Sequence, residues 1–258
     1  MTKFAANLSF MFTEVDFLDR FEAAAQAGFK AVEYLFPYDH EPQELASRLK
    51  ANGLTQALFN LPPGDFSNGD RGLAALPGRE ADFEAALETA LAYAGPMNCK
   101  CLHAMAGLTS SGAERATYVA NLKKAAASAA PHGIDILIEP INTRDVPGYF
   151  LNHLGDARKI IEEVGASNLK LQLDIYHRQI VAGDLAKAIE DYADITRHMQ
   201  IANPPDRGEP DAGEINYTSV FQMIDASGFE GWVGCEYHPR GDTVSGLAWV
   251  ERCGTKLG

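Results

Sequence analysis

Four oxygen-bearing side chains follow short apolar runs in the sequence. Each stands at or near the end of its run, and the four are Glu139, Asp174, Gln200 and Glu236. The gaps between them are 35, 26 and 36 residues, about the length of one strand–helix unit. If these runs are neighbouring parallel strands, their carboxyl ends meet, and three carboxylates and one amide converge on one point.

Three carboxylates in a half-buried site repel one another and resist ionisation, and a divalent cation removes that conflict. Oxygen ligands favour a hard ion, Mg²⁺ first and Mn²⁺ second, over Zn²⁺. Each residue alone also has a plainer explanation, because a strand-end carboxylate is often a helix cap or half of a salt bridge. Asp174 can be such a cap, and Gln200 can satisfy backbone groups. The convergence of all four favours the metal site.

Polar side chains near these positions are candidates for contacts with a substrate. His177 follows Asp174 by three residues in "DIYHRQ", so we expect it at the same rim. The loop 203–217 carries Arg207 and Glu209 among prolines and glycines, and a stiff loop suits an Arg that binds a carboxylate or hydroxyl. A structural histidine and a solvated arginine are the alternatives.

Two further histidines fall within predicted strands. His198 lies two residues before Gln200, so the alternation of a strand puts both on one face, with His198 one layer deeper. His103, in "CLHAMAG", either points into the interior or packs outside.

Short β-rich runs alternate with helical stretches along the whole chain. The helical stretches show a 3.6-residue apolar period and several end at glycine, as in "PHGI" and "DASGF". The eight predicted strands cover residues 3–9, 31–36, 55–60, 100–107, 134–140, 169–177, 198–203 and 231–237.

Eight strand–helix units in one chain of 258 residues predict a (β/α)₈ TIM barrel, with residues 1–258 as a single domain. A doubly wound open sheet is the competitor. It often carries a glycine-rich turn after its first strand, whereas "NLSFMFTEV" has no glycine there. The longest irregular connection is 61–80, and connections of this length often form functional rims or lids.

The composition of the sequence limits which kinds of binding partner and which cellular compartment we expect. The formal net charge is −13 and no basic run occurs, which disfavours nucleic acid and anionic membranes as partners but permits a small anionic substrate. The N-terminus lacks a cleavage signature, and no apolar run approaches the roughly 20 residues of a membrane span. The four scattered cysteines suggest reduced thiols. We therefore expect a cytoplasmic protein, and the sequence permits a homo-oligomer.

The same residues carry a resemblance to a known family. The segments "FAANLSFMFTE", "EYLFPYD", "LFNLPPGD", "LIEPIN", "LDIYHRQ" and "GEPDAGEINY" closely resemble the hydroxypyruvate isomerase family, which belongs to the xylose isomerase-like barrels. The resemblance runs over nearly the whole chain. It implies an intramolecular oxidoreductase that interconverts hydroxypyruvate and 2-hydroxy-3-oxopropanoate through an enediolate.

The resemblance also implies roles for individual residues. It makes Glu139, Asp174, Gln200 and Glu236 the metal ligands, and the two glutamates the groups that transfer the proton. It makes His177 and Arg207 substrate contacts, and Glu209 of the same loop joins them as a candidate. The related ketose epimerases have a His where this chain has Gln200, which argues against epimerase activity.

Three other functions compete with this interpretation. The nearest is a 2-oxo-tetronate isomerase or another small sugar-acid isomerase, which shares the chemistry and changes the substrate. A metal-dependent endonuclease shares the barrel, but such sites are rich in histidine and the chain has only seven, with no basic face. A non-catalytic sugar-acid binding barrel would not need two carboxylates poised around a metal.

Overall fold

Eight parallel strands form the frame of the protein in a computed structural model that describes residues 1–257. Within these residues the strands close into a barrel in chain order, and the last strand pairs with the first. The strands are β1 (Lys3–Asn7), β2 (Ala31–Glu33), β3 (Thr55–Asn60), β4 (Cys101–His103), β5 (Asp135–Ile138), β6 (Leu169–Asp174), β7 (Thr196–Ile201) and β8 (Trp232–Cys235). The predicted (β/α)₈ barrel is confirmed.

Helices follow the strands and pack against the outside of the barrel. The α-helices are α1 (Arg20–Gln26), α2 (Pro42–Ala51), α3 (Glu80–Met97), α4 (Arg115–Ala129), α5 (Leu154–Val164), α6 (Ile175–Val181), α7 (Leu185–Asp191), α8 (Tyr217–Ala226), α9 (Thr243–Gly246) and α10 (Trp249–Arg252). Short 3-10 helices cover Phe17–Asp19, Phe66–Asn68, Thr109–Ser111 and Ala130–His132. The inner faces of the longer helices bury aliphatic and aromatic side chains, as their apolar period predicts.

The predicted strand 169–177 is wrong in its last three residues. The strand ends at Asp174, because Oδ1 of this residue accepts hydrogen bonds from the backbone N–H groups of Tyr176 and His177, at 2.7 and 3.3 Å. These bonds cap the first turn of α6. The cap is therefore real, and it uses only one of the two carboxylate oxygens.

The segment 61–80 lies across the end of β4. Its backbone N–H groups at Ala74 and Ala75 donate to the carbonyl oxygens of Met105 and Ala106, at 3.2 and 2.8 Å. Gly72 forms a bridge with Ala106 and has a φ of +108°. A Cβ atom at Gly72 would lie 2.2 Å from the Met105 carbonyl oxygen, so only glycine permits this close approach. The base of the segment is therefore anchored to the barrel.

Two predictions from the sequence concern the state of the cysteines and membrane-spanning segments. Cys99, Cys101, Cys235 and Cys253 are all buried and free, as predicted. Among residues 1–257, no helix combines the length and the apolar character that crossing a bilayer requires.

Candidate active site

A cavity of about 190 Å³ opens at the carboxyl ends of the strands. It is smaller than the roughly 300–1,000 Å³ of pockets for drug-sized ligands, so it suits a small metabolite. Its charged and titratable lining consists of Glu139, Glu236, His103, His177, Arg71 and Arg207. Phe10, Phe36 and Phe66 add apolar walls.

Glu139 stands directly after β5 at the floor of this cavity and is 5% exposed. Its Oε1 atom is buried and receives no hydrogen bond, while Oε2 lies 3.6 Å from Nδ1 of His103. Burial, and then the charges of Glu236 and Asp174, raise the pKa of Glu139 well above its usual value. An unsatisfied carboxylate oxygen at this depth indicates a missing positive or proton-donating partner.

Asp174 and Gln200 are direct partners in the register of β6 and β7. Burial raises the pKa of Asp174 to about 6, although Arg207 and the capping N–H groups oppose the rise. The amide of Gln200 is bound at both ends: its nitrogen donates to Glu33 at 2.9 Å, and its oxygen accepts from Gln172 at 2.6 Å. A carbonyl oxygen has a second lone pair, so this contact leaves Gln200 one acceptor site.

Glu33 is a buried carboxylate that the sequence analysis missed. It ends β2 and is 1% exposed, and besides Gln200 it accepts from Asn7 at 3.0 Å and contacts Nε2 of His198 at 2.6 Å. On β8, which flanks β1 on the side away from β2, a Cβ atom at Gly234 would lie 2.2 Å from the Glu33 carboxylate. His198 is thus buried beneath the site, as predicted, and Glu33 links it to Gln200.

Glu236 and Arg207 form the shortest ion pair in the cavity, with 2.5 Å between Oε2 and Nη2. The same guanidinium lies 3.8 Å from Oδ2 of Asp174 and between the rings of Tyr176 and Phe10. Burial raises the pKa of Glu236 to about 8 even though Arg207 opposes it. Burial alone would lower the pKa of Arg207, but the surrounding carboxylates raise it above its ordinary value. Arg207 therefore stays charged.

The loop that carries Arg207 is braced by Asn203. The side chain of Asn203 donates to the carbonyl oxygens of Pro210 and Ile215, at 2.8 and 3.1 Å, and accepts from the backbone N–H of Ile215 at 2.9 Å. Arg207 itself adopts a φ of +53°, and its carbonyl oxygen accepts from the N–H of His238. The loop is therefore stiffened by an asparagine in addition to the prolines on which the prediction rested.

His177 lies between the carboxylates of Glu139 and Asp174. Its Nε2 atom is 3.8 Å from Oε1 of Glu139 and 3.6 Å from Oδ2 of Asp174. On the other side of the ring, Asn142 donates to Nδ1 at 2.6 Å. The Asn142 amide is oriented by its own oxygen, which accepts from the backbone N–H of Asp145 at 2.8 Å.

These contacts determine the tautomer of His177. Burial, and then Arg207, lower the pKa of the ring well below its usual value, so the ring is neutral. Because Nδ1 accepts from Asn142, the ring proton is on Nε2, facing Glu139 and Asp174. A protonated nitrogen cannot bind a metal ion. His177 is therefore a hydrogen-bond donor, although its Nε2 lies within 4.8 Å of the nearest carboxylate oxygens.

The donor set fits a hard divalent cation. Of the three strand-end carboxylates, Asp174 and Glu236 lie within 4 Å of the permanently charged Arg207, and Oε1 of Glu139 lacks a hydrogen-bond partner. Oxygen atoms of Glu139 and Asp174 lie close together beside His177, whose tautomer excludes it from the ligands. The four strand-end residues Glu139, Asp174, Gln200 and Glu236 offer only oxygen to a cation, which suits Mg²⁺ or Mn²⁺.

The two remaining candidates from the sequence, His103 and Glu209, lie in different places relative to the cavity. His103 points into the cavity, where its Nδ1 is 3.3 Å from Oδ1 of Asn60, and burial lowers its pKa to about 3. Glu209 is buried outside the cavity lining, and its Oε2 pairs with Nε of Arg240 at 2.9 Å. The structure therefore brings Glu139, Asp174, His177, Arg207 and Glu236 together and places Glu209 apart from them.

Comparison with known proteins agrees with this architecture. The profile of the family described as xylose isomerase-like TIM barrel matches residues 21–253. A protein of Cupriavidus necator named 2-oxo-tetronate isomerase is 57% identical over 97% of this chain and 98% of its own length. A protein of Escherichia coli named hydroxypyruvate isomerase is 46% identical over 97% of this chain and 99% of its own.

Among solved structures, a Brucella melitensis protein is 50% identical and superimposes with a TM-score of 0.95. The comparison covers 98% of this chain and 99% of that one, and the protein is named AP endonuclease, family 2. The names of these three proteins thus divide between isomerase and endonuclease, and the chemistry of the cavity has to distinguish the two activities.

Proposed function

The chain belongs to the xylose isomerase-like TIM barrel family, and from this membership and the carboxylate cavity we propose that it is a short-chain sugar-acid isomerase. The reaction we propose first interconverts hydroxypyruvate and 2-hydroxy-3-oxopropanoate. The full-length relatives named as isomerases support the reaction class.

One observation carries the proposal: two buried glutamates, Glu139 and Glu236, face one small cavity with pKa values raised above the usual range. A raised pKa makes a carboxylate a stronger base and allows its protonated form to return a proton. A binding site alone would not need this pair. The cavity is therefore suited to moving a proton between neighbouring carbons.

The residues divide the reaction as follows. One glutamate removes the proton from the hydroxyl-bearing carbon of hydroxypyruvate, and the other returns a proton to the neighbouring carbonyl carbon. The hydroxyl proton moves from the first oxygen to the second, so atoms and charge balance. Nε2–H of His177 is placed to donate to a substrate oxygen, and Arg207 stabilises negative charge beside Glu236.

We propose Glu139, Asp174, Gln200 and Glu236 as the ligands of a divalent ion, Mg²⁺ before Mn²⁺. When bound, the ion supplies positive charge to the substrate oxygens and so acidifies the adjacent C–H bond. The unpartnered Oε1 of Glu139 and the lone pair left on Gln200 support this ligand set. Gln172 and Glu33 orient the amide of Gln200 from both ends.

A second candidate substrate is a 2-oxo-tetronate, a four-carbon acid. The higher identity to the relative of that name, 57% against 46%, favours it. The two acids share the reacting carbons and differ in chain length. The comparison that separates them is kcat/KM for the three- and four-carbon acids, measured side by side with one preparation.

The name of the Brucella relative raises phosphodiester cleavage as another candidate. The net charge of −13 argues against it, because binding of duplex DNA depends on neutralising phosphates with Lys and Arg. The four proposed ligands also include no histidine. We propose a small anionic oxo-acid as the partner, with neither nucleic acid nor a membrane.

The test is isomerisation of hydroxypyruvate by the purified protein, followed by NMR. Activity should be lost with EDTA and return with Mg²⁺ or Mn²⁺. Cleavage of DNA that contains an abasic site, without turnover of either oxo-acid, would refute the proposal. A cytoplasmic location and a role in glyoxylate metabolism are part of the same proposal. The sequence permits a homo-oligomer, and light scattering measures the oligomeric state.

A further inference from the structure

Arg71 is a cation of the cavity wall that the reaction described above does not use. It lies in the segment 61–80 after the short 3-10 helix Phe66–Asn68, and its side chain is half-buried. It lines the same cavity as Glu139 and His177. Its guanidinium stacks 4.0 Å from the centre of the Phe66 ring. The Arg71 guanidinium therefore packs on the Phe66 ring in the wall of the cavity in which we propose that the substrate binds.

The charge of Arg71 has no anionic partner within residues 1–257. Its Nη1 atom donates to the backbone carbonyl oxygens of Phe66 and Asp70, at 3.0 and 2.7 Å. The neighbouring Asp70 carboxylate turns away, since it accepts from the N–H of Asp65 at 2.8 Å and lies 3.4 Å from Arg79. The remaining N–H donors of Arg71 are available for an oxygen ligand.

The other arginine of the cavity is already neutralised. Arg207 lies 2.5 Å from Glu236 and 3.8 Å from Asp174, so its charge stabilises two carboxylates of the chain itself. An acid substrate brings one more carboxylate into a cavity that is rich in them. Of the two guanidinium groups, Arg71 is the one free to bind it.

The backbone fixes where Arg71 points. Gly72 follows it directly, and a Cβ atom there would collide with the backbone of Met105. The N–H of Gly72 also donates to the carbonyl oxygen of Pro63 at 3.0 Å, which closes the loop at its base. Arg71 is thus presented from an anchored point, so little ordering is needed when a ligand binds.

We infer that Arg71 binds the carboxylate of the substrate and gives the cavity its preference for sugar acids over neutral sugars. This inference rests on the proposed function, since it names the residue that recognises the acid group. A guanidinium and a carboxylate can form two parallel hydrogen bonds, which fixes the orientation of the substrate as well as its charge. The reacting carbons are then held toward Glu139 and Glu236.

Binding of D-glycerate tests the inference without turnover, because this three-carbon acid lacks the carbonyl group. Calorimetric titration of the Mg²⁺-loaded protein should show that Arg71→Gln weakens glycerate about 10- to 100-fold. Arg71→Lys keeps the charge and should recover part of the loss. Arg79→Gln removes a charge from the same segment but faces Asp70 and Asp82, so it should bind glycerate like the wild type.

Kinetics supply a second readout in the folded variants. The KM for hydroxypyruvate should rise by a similar factor in Arg71→Gln, with a smaller change in kcat, while activity on neutral dihydroxyacetone stays at the wild-type level. Unchanged glycerate binding, or an equal loss in Arg79→Gln, would overturn the inference. If the wild type turns over neither oxo-acid, the proposed function fails, and the glycerate titration still decides the role of Arg71.

Discussion

The side-chain amide of Asn142 donates a hydrogen bond to Nδ1 of His177 over 2.6 Å, and so directs the ring proton toward Glu139 and Asp174. The two residues are 35 positions apart, on the loop after β5 and on α6. The contact makes Nε2 of His177 a hydrogen-bond donor toward the cavity, so the proposed metal would be held by oxygen ligands.

Replacing Asn142 by Asp should reverse this tautomer. A carboxylate at position 142 accepts a proton from Nδ1, so Nε2 becomes an acceptor and no longer donates to the substrate. We expect kcat to fall about 10- to 100-fold, with a gain in affinity for Zn²⁺ relative to Mg²⁺. The ring tautomer can be read from ¹⁵N chemical shifts of the imidazole. Asn152→Asp, in the same connection but outside the cavity, is the control, and a kcat loss shared by both variants would contradict the explanation.

The glutamates should be essential for the chemistry and dispensable for folding. Glu139→Gln and Glu236→Gln keep the shape of each side chain but remove the proton-accepting group, so kcat should fall by about 10²–10⁴-fold or more. The measurement is single-turnover NMR, together with circular dichroism to confirm the fold. Substantial turnover in a folded, metal-loaded Glu139→Gln variant would exclude that residue as the acid or base.

Metal binding should stabilise the native protein. A cation that binds only the folded state at about 100 times its Kd adds roughly 2.7 kcal/mol to the free energy of unfolding. We expect the Tm of EDTA-treated protein to rise on addition of Mg²⁺ or Mn²⁺, and Asp174→Asn to lose most of that rise. Glu209→Gln changes a buried carboxylate that pairs with Arg240, so its metal-induced shift should match the wild type. An equal shift in all three proteins would place the metal elsewhere.

The structure leaves no room for a side chain at Gly234, next to the Glu33 carboxylate. In Gly234→Ala the new methyl group would meet the Glu33 carboxylate, which is held by Asn7, His198 and Gln200. Overpacking of this kind costs about 1–3 kcal/mol in the free energy of unfolding, measurable by urea titration. Gly241→Ala adds a methyl group in open space and should be neutral. A neutral Gly234→Ala would show that the network can move aside.

The local pattern of apolar and polar residues was sufficient to predict the (β/α)₈ barrel and the convergence of the strand-end carboxylates. Apolar alternation and helical period depend on near neighbours in sequence, so the eight strands appear where the sequence predicts them, and Glu139, Asp174 and Glu236 fall at or just beyond their ends. The ends of the predicted runs were less reliable. The Asp174 carboxylate is a candidate metal ligand and also caps the first turn of α6. The pattern of apolar residues in the sequence does not distinguish these two roles.

The buried position of Glu33 beneath the site could not be predicted from the pattern of apolar and polar residues. In "AVEYLF" it resembles an ordinary polar residue of a strand, and the available signal, a glycine at position 234, lies two hundred residues away. Only closure of the barrel brings the two together. The same reason separates Arg71, free of carboxylates, from Arg207, which is paired with two.

The sequence by itself therefore determined the fold and the strand-end positions of the proposed ligands, because these follow from local periodicity and residue type, while the reaction class followed from the resemblance of its segments to a known family. The tertiary structure alone decided the tautomer of His177, the orientation of Gln200, the exclusion of Glu209 and the availability of Arg71. Each of these depends on which atoms meet across strands and loops that are distant in the chain, and hydrogen bonds and charges act only over such contacts.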